Sequence, residues 1–317
     1  MHRVGLRPWL ALWITLVVFW PKPSDFVSPE DALHREGVGE GLYSSTSTKA
    51  NFGLVTPQFF ETSAGKKHWH ISSDSAELHR KESYAFLRVV AAEFFAEKTG
   101  NVVTTTSDYG RSWTDKELVE LEGNVIIESK RGYQFTMPTL NYSGKSHEFY
   151  TDEQVHMKGP VVSKPVMLLT GRGLRADIDR ERFILNRDVV GRKRLKNNQW
   201  IQIHSNAGDF FTDESRAVFT DSVRAVMPGT IIHSEVFETM GNKDKETIEA
   251  RGNVRLKNRG RNGHAEMAFL ELGGSQIVLE GKASIESKGN LIRGRRIILY
   301  TDEDRIEVEG ASGQWSK

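Results

Sequence analysis

A nine-residue phrase recurs along this chain and limits the folds that it can adopt. LEGNVIIES, Leu121 to Ser129, returns as LEGKASIES, Leu279 to Ser287, and more loosely as ARGNVRLKN, Ala250 to Asn258. Equivalent positions lie 28 to 36 residues apart, at Gly123, Gly159, Arg187, Asp221, Gly252, Gly281 and Gly310. A period of this size indicates stacked supersecondary units that bury a shared core.

The residues between these positions alternate between apolar and polar side chains, which is typical of β-strands. The turn-forming triplet TDE recurs at Asp152, Asp213 and Asp302, and each copy is interpreted as a turn between two strands. Glycine frees the backbone for a bend or bulge. The glycines predicted to form such bends are Gly123, Gly159, Gly252, Gly281 and Gly310.

Alternation places every second side chain on one face of each strand, so the sequence predicts an apolar interior. The inward pairs would be Val125 and Ile127, Phe135 and Met137, Phe183 and Leu185, Val254 and Leu256, Met267 and Phe269, Ile277 and Leu279, Ile297 and Leu299, and Ile306 and Val308. Two sheets facing each other would then form a long sandwich. The segment Tyr84 to Lys98 could be a helix, but we interpret it as a strand with a bulge.

The N-terminal region carries a membrane signal. Arg3 and Arg7 precede the apolar run WLALWITLVVFW, and no small-residue cleavage site follows it. Twelve helical residues span roughly 18 Å, less than the roughly 30 Å of a bilayer core, so the span would extend back to Val4 with Arg7 reaching the surface. We predict an uncleaved anchor over residues 1–22 and a tether over residues 23–66. A cleaved signal peptide is the alternative.

Charge and cysteine content exclude several classes of function. The chain has 43 basic and 42 acidic residues, which provides no long-range attraction to nucleic acid. It has no cysteine, which excludes disulfides, thiolate metal sites and cysteine nucleophiles. Its hydrophobic content of 38% is more typical of an elongated molecule than of one with a single globular core.

Two stretches resemble known families. The phrases LVELEGNVIIESKRGYQFTMPTLNYSGKSHEFYTDEQVHMKGP and GRGLRADIDRERFILNRDVVGR resemble LptC, the bitopic component of lipopolysaccharide export. The phrase GHAEMAFLELGGSQIVLEGKASIESKGNLIRGRRIILYTDEDRIEVEGASGQW resembles the OstA-like repeat of LptA. We therefore predict an LptC-like segment over residues 67–196 and an LptA/OstA-like segment over residues 197–317, continuous with the first.

The resemblance implies an all-β fold, an open and twisted β-jellyroll of antiparallel strand pairs. It implies a non-enzymatic conduit without a cofactor, anchored in the inner membrane of a Gram-negative bacterium with its bulk in the periplasm. The implied partners are lipopolysaccharide through its lipid A, an inner-membrane ABC exporter with LptF/LptG-like jellyrolls, and an LptA-like or LptD-like jellyroll at the distal end. The groove-lining candidates are Phe135, Met137, Phe149, Phe183, Leu185, Val254, Leu256, Met267, Phe269, Ile277, Leu279, Ile297 and Leu299.

Two further motifs were weighed for chemistry. His68 and His70 could hold a metal on one strand face, but no third ligand has matching spacing, so no metal site is predicted. Arg192, Lys193 and Arg194 lie in the sharpest charge run and are candidate contacts for lipid A phosphates or a partner. Two other functions stay open, a structural or adhesive repeat scaffold and a polysaccharide-acting β-solenoid enzyme.

Overall fold

Strands account for all the regular secondary structure in the residues that the computed structural model describes, which are 52–63, 66–113, 115–160, 167–194, 198–241 and 246–314. The strands are β1 Phe52–Val55, β2 Gln58–Ser63, β3 Lys66–His79, β4 Tyr84–Phe95, β5 Val102–Trp113, β6 Leu118–Ser129, β7 Gln134–Ser143, β8 Glu148–Gly159, β9 Met167–Asp177, β10 Arg182–Arg194, β11 Trp200–Ser205, β12 Ala207–Phe211, β13 Arg216–Met227, β14 Thr230–Gly241, β15 Glu246–Asn258, β16 Arg261–Glu271, β17 Gln276–Ser287, β18 Asn290–Tyr300, β19 Ile306–Glu309 and β20 Ser312–Gln314. The all-β prediction is confirmed for these residues. Among them, no helix is long and apolar enough to cross a membrane, and the predicted anchor lies outside them.

The strands form one antiparallel sheet in which each long strand pairs with its neighbour in the chain. Three positions in the sheet are filled by two short strands in tandem. β1 and β2 both pair with β3, β11 and β12 lie together between β10 and β13, and β19 and β20 both pair with β18. The sheet therefore grows by local hairpins from one edge to the other.

The recurring glycine phrase forms a corner in the middle of a strand. In β15, Gly252 and Asn253 both have left-handed backbones, with φ of 79° and 47°, and the pairing register shifts at this point. The same geometry recurs at Gly123 and Gly281. Left-handed φ angles are accessible to glycine and asparagine at the lowest cost, which explains why the sequence repeats these residue types.

The corners fold the sheet onto itself. Phe94 on β4 packs against Tyr142 on β7, with ring centroids 4.4 Å apart, although β4 and β7 are not neighbours in the sheet. Phe135 on β7 likewise lies 5.0 Å from Phe183 on β10. The predicted sandwich of two sheets is therefore wrong in one respect: both walls belong to a single sheet, because hydrogen bonding continues across each corner.

Two of the predicted inward residues, Met267 and Phe269, do not lie on the buried face of β16. The buried positions alternate from Arg261 through Gly263 to Ala265, and the next one is Ala268, a step of three. The cause is the corner, where Glu266 alone lies opposite the two-residue bulges of β15 and β17. Alternation on β16 therefore reverses after Glu266, and the two larger side chains turn to the outer face.

Two details of the repeat also differ from the prediction. Asp152 lies inside β8 beside a register shift between Thr151 and Gln154, so it belongs to a corner, whereas Asp213 and Asp302 lie between strands as expected. Gly159 ends β8 and is not a mid-strand bend. A Cβ at that position would lie 2.8 Å from the Tyr133 ring, which explains a glycine at this close approach.

The predicted tether is too long at its C-terminal end. Residues 52–63, which were assigned to it, form β1 and β2 and pair with β3. Leu54 and Phe59 pack against the core, and the Glu61 carboxylate accepts a hydrogen bond from Trp69 Nε1. Only a few apolar residues indicate these strands, and the surrounding sequence is rich in Ser, Thr and Gly, which favours a tether.

The segment from Tyr84 forms strand β4 as far as Phe95, and Glu97 and Lys98 lie in the turn that follows. Instead of the predicted bulge it has a single-residue bend at Val89, which has a left-handed φ of 52° and is 59% exposed, because the pairing with β3 and β5 keeps its register there. A β-branched residue in this conformation is strained.

We expect Val89→Asn to stabilise the protein by about 1 kcal/mol, because asparagine tolerates left-handed φ. Urea unfolding measures this change. Val278→Asn, at an ordinary strand position, should instead destabilise, and a destabilising Val89→Asn would contradict the strain.

Candidate lipid groove

The interior between the two walls is a continuous apolar layer. Of the predicted groove residues, eleven are at most 8% exposed and belong to one buried cluster: Phe135, Met137, Phe149, Phe183, Leu185, Val254, Leu256, Ile277, Leu279, Ile297 and Leu299. The cluster extends from Trp69 on β3 to Leu299 on β18. It is formed by strands of both predicted segments, so the sheet encloses one apolar interior along its length.

A row of aromatic rings crosses the junction between the two segments. Phe135 contacts Phe183, Phe183 stacks on Phe210 at 4.6 Å, and Phe210 meets Phe219 at 5.5 Å. β10 also pairs with both β11 and β12, so backbone pairing joins the two predicted segments. The interior is therefore uninterrupted where the sequence changes from one type of repeat to the other.

A cavity of about 100 Å³ opens into this layer between β5 and β10. Its wall includes Val103, Ile127, Phe149 and Leu174, and Tyr133 lies at its side. Burial raises the pKa of the Tyr133 hydroxyl, partly opposed by the positive charge of Arg131. A cavity of this size has room for several water molecules but not for a set of acyl chains, which would require the walls to separate.

The walls meet along a line of polar contacts, which we call the seam. Turns from opposite ends of the strands approach each other there, because the corners fold the two ends of each strand together. Arg131, between β6 and β7, donates from Nε to Glu181 between β9 and β10 at 2.6 Å. Lys288, between β17 and β18, pairs with Asp304 between β18 and β19 at 3.2 Å. The seam thus joins turns that are distant in the sheet.

The seam contacts differ in solvent exposure. Lys288 and Asp304 are 81% and 70% exposed, whereas Arg131, 48% exposed, meets a Glu181 side chain that is only 14% exposed, and Lys193 and Glu246 are 31% and 23% exposed. Exposed ion pairs contribute roughly 0–1 kcal/mol each, much less than the apolar packing and backbone pairing at the corners. When the walls separate, we therefore expect the seam to open and the corners to stay folded.

Arg261 makes a stronger contact near the C-terminal edge. It is 3% exposed, and its Nη2 donates to the Tyr300 carbonyl at 2.9 Å and to the Asn258 side chain. Burial lowers the pKa of Arg261, and the nearby Asp304 carboxylate opposes this shift. Guanidinium groups remain charged in proteins, so this buried cation is held by carbonyl acceptors and fixes the seam locally.

The three candidate phosphate contacts have different surroundings. Arg192 is exposed and lies over the Trp200 ring, 5.1 Å from its centroid. Lys193 forms an ion pair with Glu246 across the seam. Arg194 has a buried Nε without a hydrogen-bond partner among the described residues. Arg192 is thus the most accessible of the three to an external anion.

The two edges of the sheet are built from short strands that pair on one side only within the described residues. At the N-terminal edge, Phe52 on β1 is 43% exposed and Phe60 on β2 is 66% exposed. At the C-terminal edge, β19 and β20 pair only with β18. Unpaired backbone groups on such strands can accept another strand.

Comparison with known proteins gives matches for both halves of the chain. Residues 59–194 match a family described as lipopolysaccharide-assembly, LptC-related, and residues 202–305 match LptA/(LptD N-terminal domain) lipopolysaccharide transport proteins. An uncharacterized protein of Rhizobium meliloti (strain 1021) is 29% identical over 132 residues, 38% of this chain and 71% of the relative. A crystal structure of LptH, the LptA homologous periplasmic component of the lipopolysaccharide transport device of Pseudomonas aeruginosa, matches 37% of this chain and 95% of its own at 12% identity, with a TM-score of 0.35.

Proposed function

We propose that this chain, an LptC-related protein continued by an LptA/LptD N-terminal segment, is a non-enzymatic conduit that carries the acyl chains of lipopolysaccharide between its two walls. The family matches support a role in lipopolysaccharide transport across the periplasm. The observation that carries the conduit is the single apolar interior that passes through both segments at Phe183 and Phe210.

Burial of the cargo can offset the opening of the walls. An acyl chain gains about 0.8 kcal/mol for each CH₂ transferred from water to an apolar interior. Separating the walls costs side-chain packing inside and the ion pairs along the seam. Because an exposed pair such as Lys288–Asp304 is weak, lipid acyl chains can replace the contacts between the walls there while the sugar and phosphate groups remain in water.

The proposed path starts at the inner membrane. Residues 1–22 would anchor the chain there, with the sheet in the periplasm. The N-terminal edge, with Phe52 and Phe60 exposed, would dock on an LptF/LptG-like jellyroll of an ABC exporter by strand addition. ATP hydrolysis by the exporter would supply the direction of transport.

The C-terminal segment would extend the bridge. β19 and β20 would pair with an LptA-like or LptD-like jellyroll toward the outer membrane. Because an LptA-like segment already follows the LptC-related one in this chain, we propose that fewer separate LptA copies, or none, complete the bridge. Arg192 is the proposed contact for a lipid A phosphate, since it is exposed and fixed over Trp200.

Site-specific photocrosslinking tests the conduit. We expect benzoylphenylalanine at Phe183 to crosslink lipopolysaccharide in a Gram-negative host, because that side chain faces the interior. The same residue at Phe269, on the outer face of β16, should crosslink at least about tenfold less. Both positions hold phenylalanine, so the aromatic substitution is matched. Equal yields at the two positions, or none at Phe183 in folded protein, would support a passive scaffold instead.

A further inference from the structure

Three side chains from separate parts of the chain converge at one end of the seam. His68 lies near the start of β3, Glu97 between β4 and β5, and His147 between β7 and β8. One ligand atom from each lies within 4.8 Å of the other two. The two imidazole rings meet edge to face, with centroids 5.0 Å apart. The sequence points to His68 as a possible ligand but not to Glu97 or His147, because the three residues share no local motif.

The spacing suits one metal ion. His68 Nε2 and His147 Nε2 lie 3.1 and 3.9 Å from the same Glu97 oxygen. Tetrahedral zinc with bond lengths of about 2.0–2.2 Å requires ligand atoms roughly 3.4 Å apart. The observed distances bracket this value, so side-chain movements of less than about 1 Å would complete the geometry.

Within the described part of the chain, the ligating nitrogen of His68 has no hydrogen bond without such an ion. His68 is 9% exposed, and its Nε2 has no hydrogen bond of acceptable angle among the described residues, although Glu97 is only 3.1 Å away. Buried imidazole nitrogens are normally paired, and an unpaired nitrogen aimed at a carboxylate is suited to metal ligation.

A second carboxylate supports the same arrangement. Asp179 Oδ2 lies 3.5 Å from His147 Nδ1, and its Oδ1 accepts a hydrogen bond from the Lys98 backbone N–H. A carboxylate on the distal nitrogen of a metal-bound histidine fixes the tautomer and orients the ring. Burial raises the pKa of the nearby Tyr142 hydroxyl, and negative charges that include Glu61, Asp179 and Glu97 add to this effect. The surroundings are therefore negative and favour a cation.

We propose that His68, Glu97 and His147 form a binding site for a divalent metal ion of the zinc class, with Asp179 as the positioning residue for His147. Two nitrogens and one carboxylate oxygen are a donor set that zinc accepts, and water would fill the fourth position. The site joins β3 to one turn from each end of the strands. Bound metal would therefore hold the N-terminal end of the seam closed, as the buried Arg261 holds its C-terminal end.

The test uses the full chain in detergent, without a polyhistidine tag and stripped of metal, titrated with zinc chloride by calorimetry. We expect one zinc ion that is lost or weakened at least about 100-fold in His68→Gln and His147→Gln. Asp179→Asn should weaken it roughly 10–100-fold. His70→Gln is the matched control, because His70 lies beside Glu93 and outside the cluster. The zinc affinity of this variant should differ from that of the native chain by less than threefold.

Two further readouts separate a metal site from a structural role. Cobalt(II) should give the visible spectrum of tetrahedral coordination in the native chain and in His70→Gln, but not in His147→Gln. Zinc at 100 times its dissociation constant should raise the melting temperature of the native chain by roughly 5–10 °C. Metal-free melting temperatures show whether each variant folds. Absence of zinc binding, or unchanged binding in a folded His68→Gln or His147→Gln variant, would overturn the site without affecting the proposed lipid conduit.

Discussion

Replacing Phe183 with aspartate should remove lipid A from the purified protein. Phe183 is 4% exposed and lies between the rings of Phe135 and Phe210 where the two segments join. Losing this side chain and burying a carboxylate without a partner should cost about 5 kcal/mol or more. Mass spectrometry of solvent extracts should find nearly equal molar amounts of lipid A and protein for the native chain. The variant should hold less than a tenth of that lipid A per protein.

Two other variants make this result interpretable. Phe269→Asp places the same charge on the outer face of β16, so lipid content should be unchanged and stability should fall by only about 1 kcal/mol. Phe183→Leu keeps an apolar side chain and should retain both fold and lipid. A folded Phe183→Asp variant with native lipid content would rule out a groove at this position. A native chain that is folded but free of lipid would favour a scaffold.

Much of the fold follows from local sequence rules. Strand alternation and the repeated Gly-Asn phrase predict an antiparallel sheet with a bend in each unit, and the structure has such bends at Gly123, Gly252 and Gly281. These features are predictable because each depends on a few adjacent residues.

The features that local rules missed depend on neighbouring strands. Met267 and Phe269 alternate correctly within β16, but bulges on β15 and β17 opposite Glu266 reverse the face that is buried. The sequence of one strand does not contain the information that its partner strands have bulges. Charge pairing shows the same limit, since the charge run suggests Lys193 as a contact for a phosphate or a partner but does not predict its ion pair with Glu246 across the seam.

The side-chain cluster at the seam was missed for a related reason. The motif His68-Trp69-His70 suggested two ligands on one strand, whereas His70 lies beside Glu93. His147 and Glu97 reach His68 only because the corners fold the two ends of each strand together. Ligands brought together by folding have no characteristic spacing in the sequence, so only the three-dimensional arrangement identifies them.

The corners should also be the points where a single methyl group is most disruptive. Gly252 has a φ of 79°, and a Cβ there would lie 2.5 Å from the Glu235 carboxylate and 2.9 Å from Glu235 Cβ. Left-handed strain costs roughly 1–2 kcal/mol, and displacement of Glu235 adds to it. We therefore expect Gly252→Ala to lower the free energy of unfolding by about 2–4 kcal/mol in urea, with an unchanged slope.

Gly260 separates strain from crowding. It has nearly the same φ, 80°, but nothing lies within 4 Å of a Cβ built on it. Gly260→Ala should therefore show the strain alone, roughly 1–2 kcal/mol. Adding Glu235→Ala to Gly252→Ala should recover part of the difference, which a double-mutant cycle measures. Equal losses of unfolding free energy in Gly252→Ala and Gly260→Ala would mean that Glu235 moves aside at no cost. Glycine would then be required at the corner only for its left-handed φ.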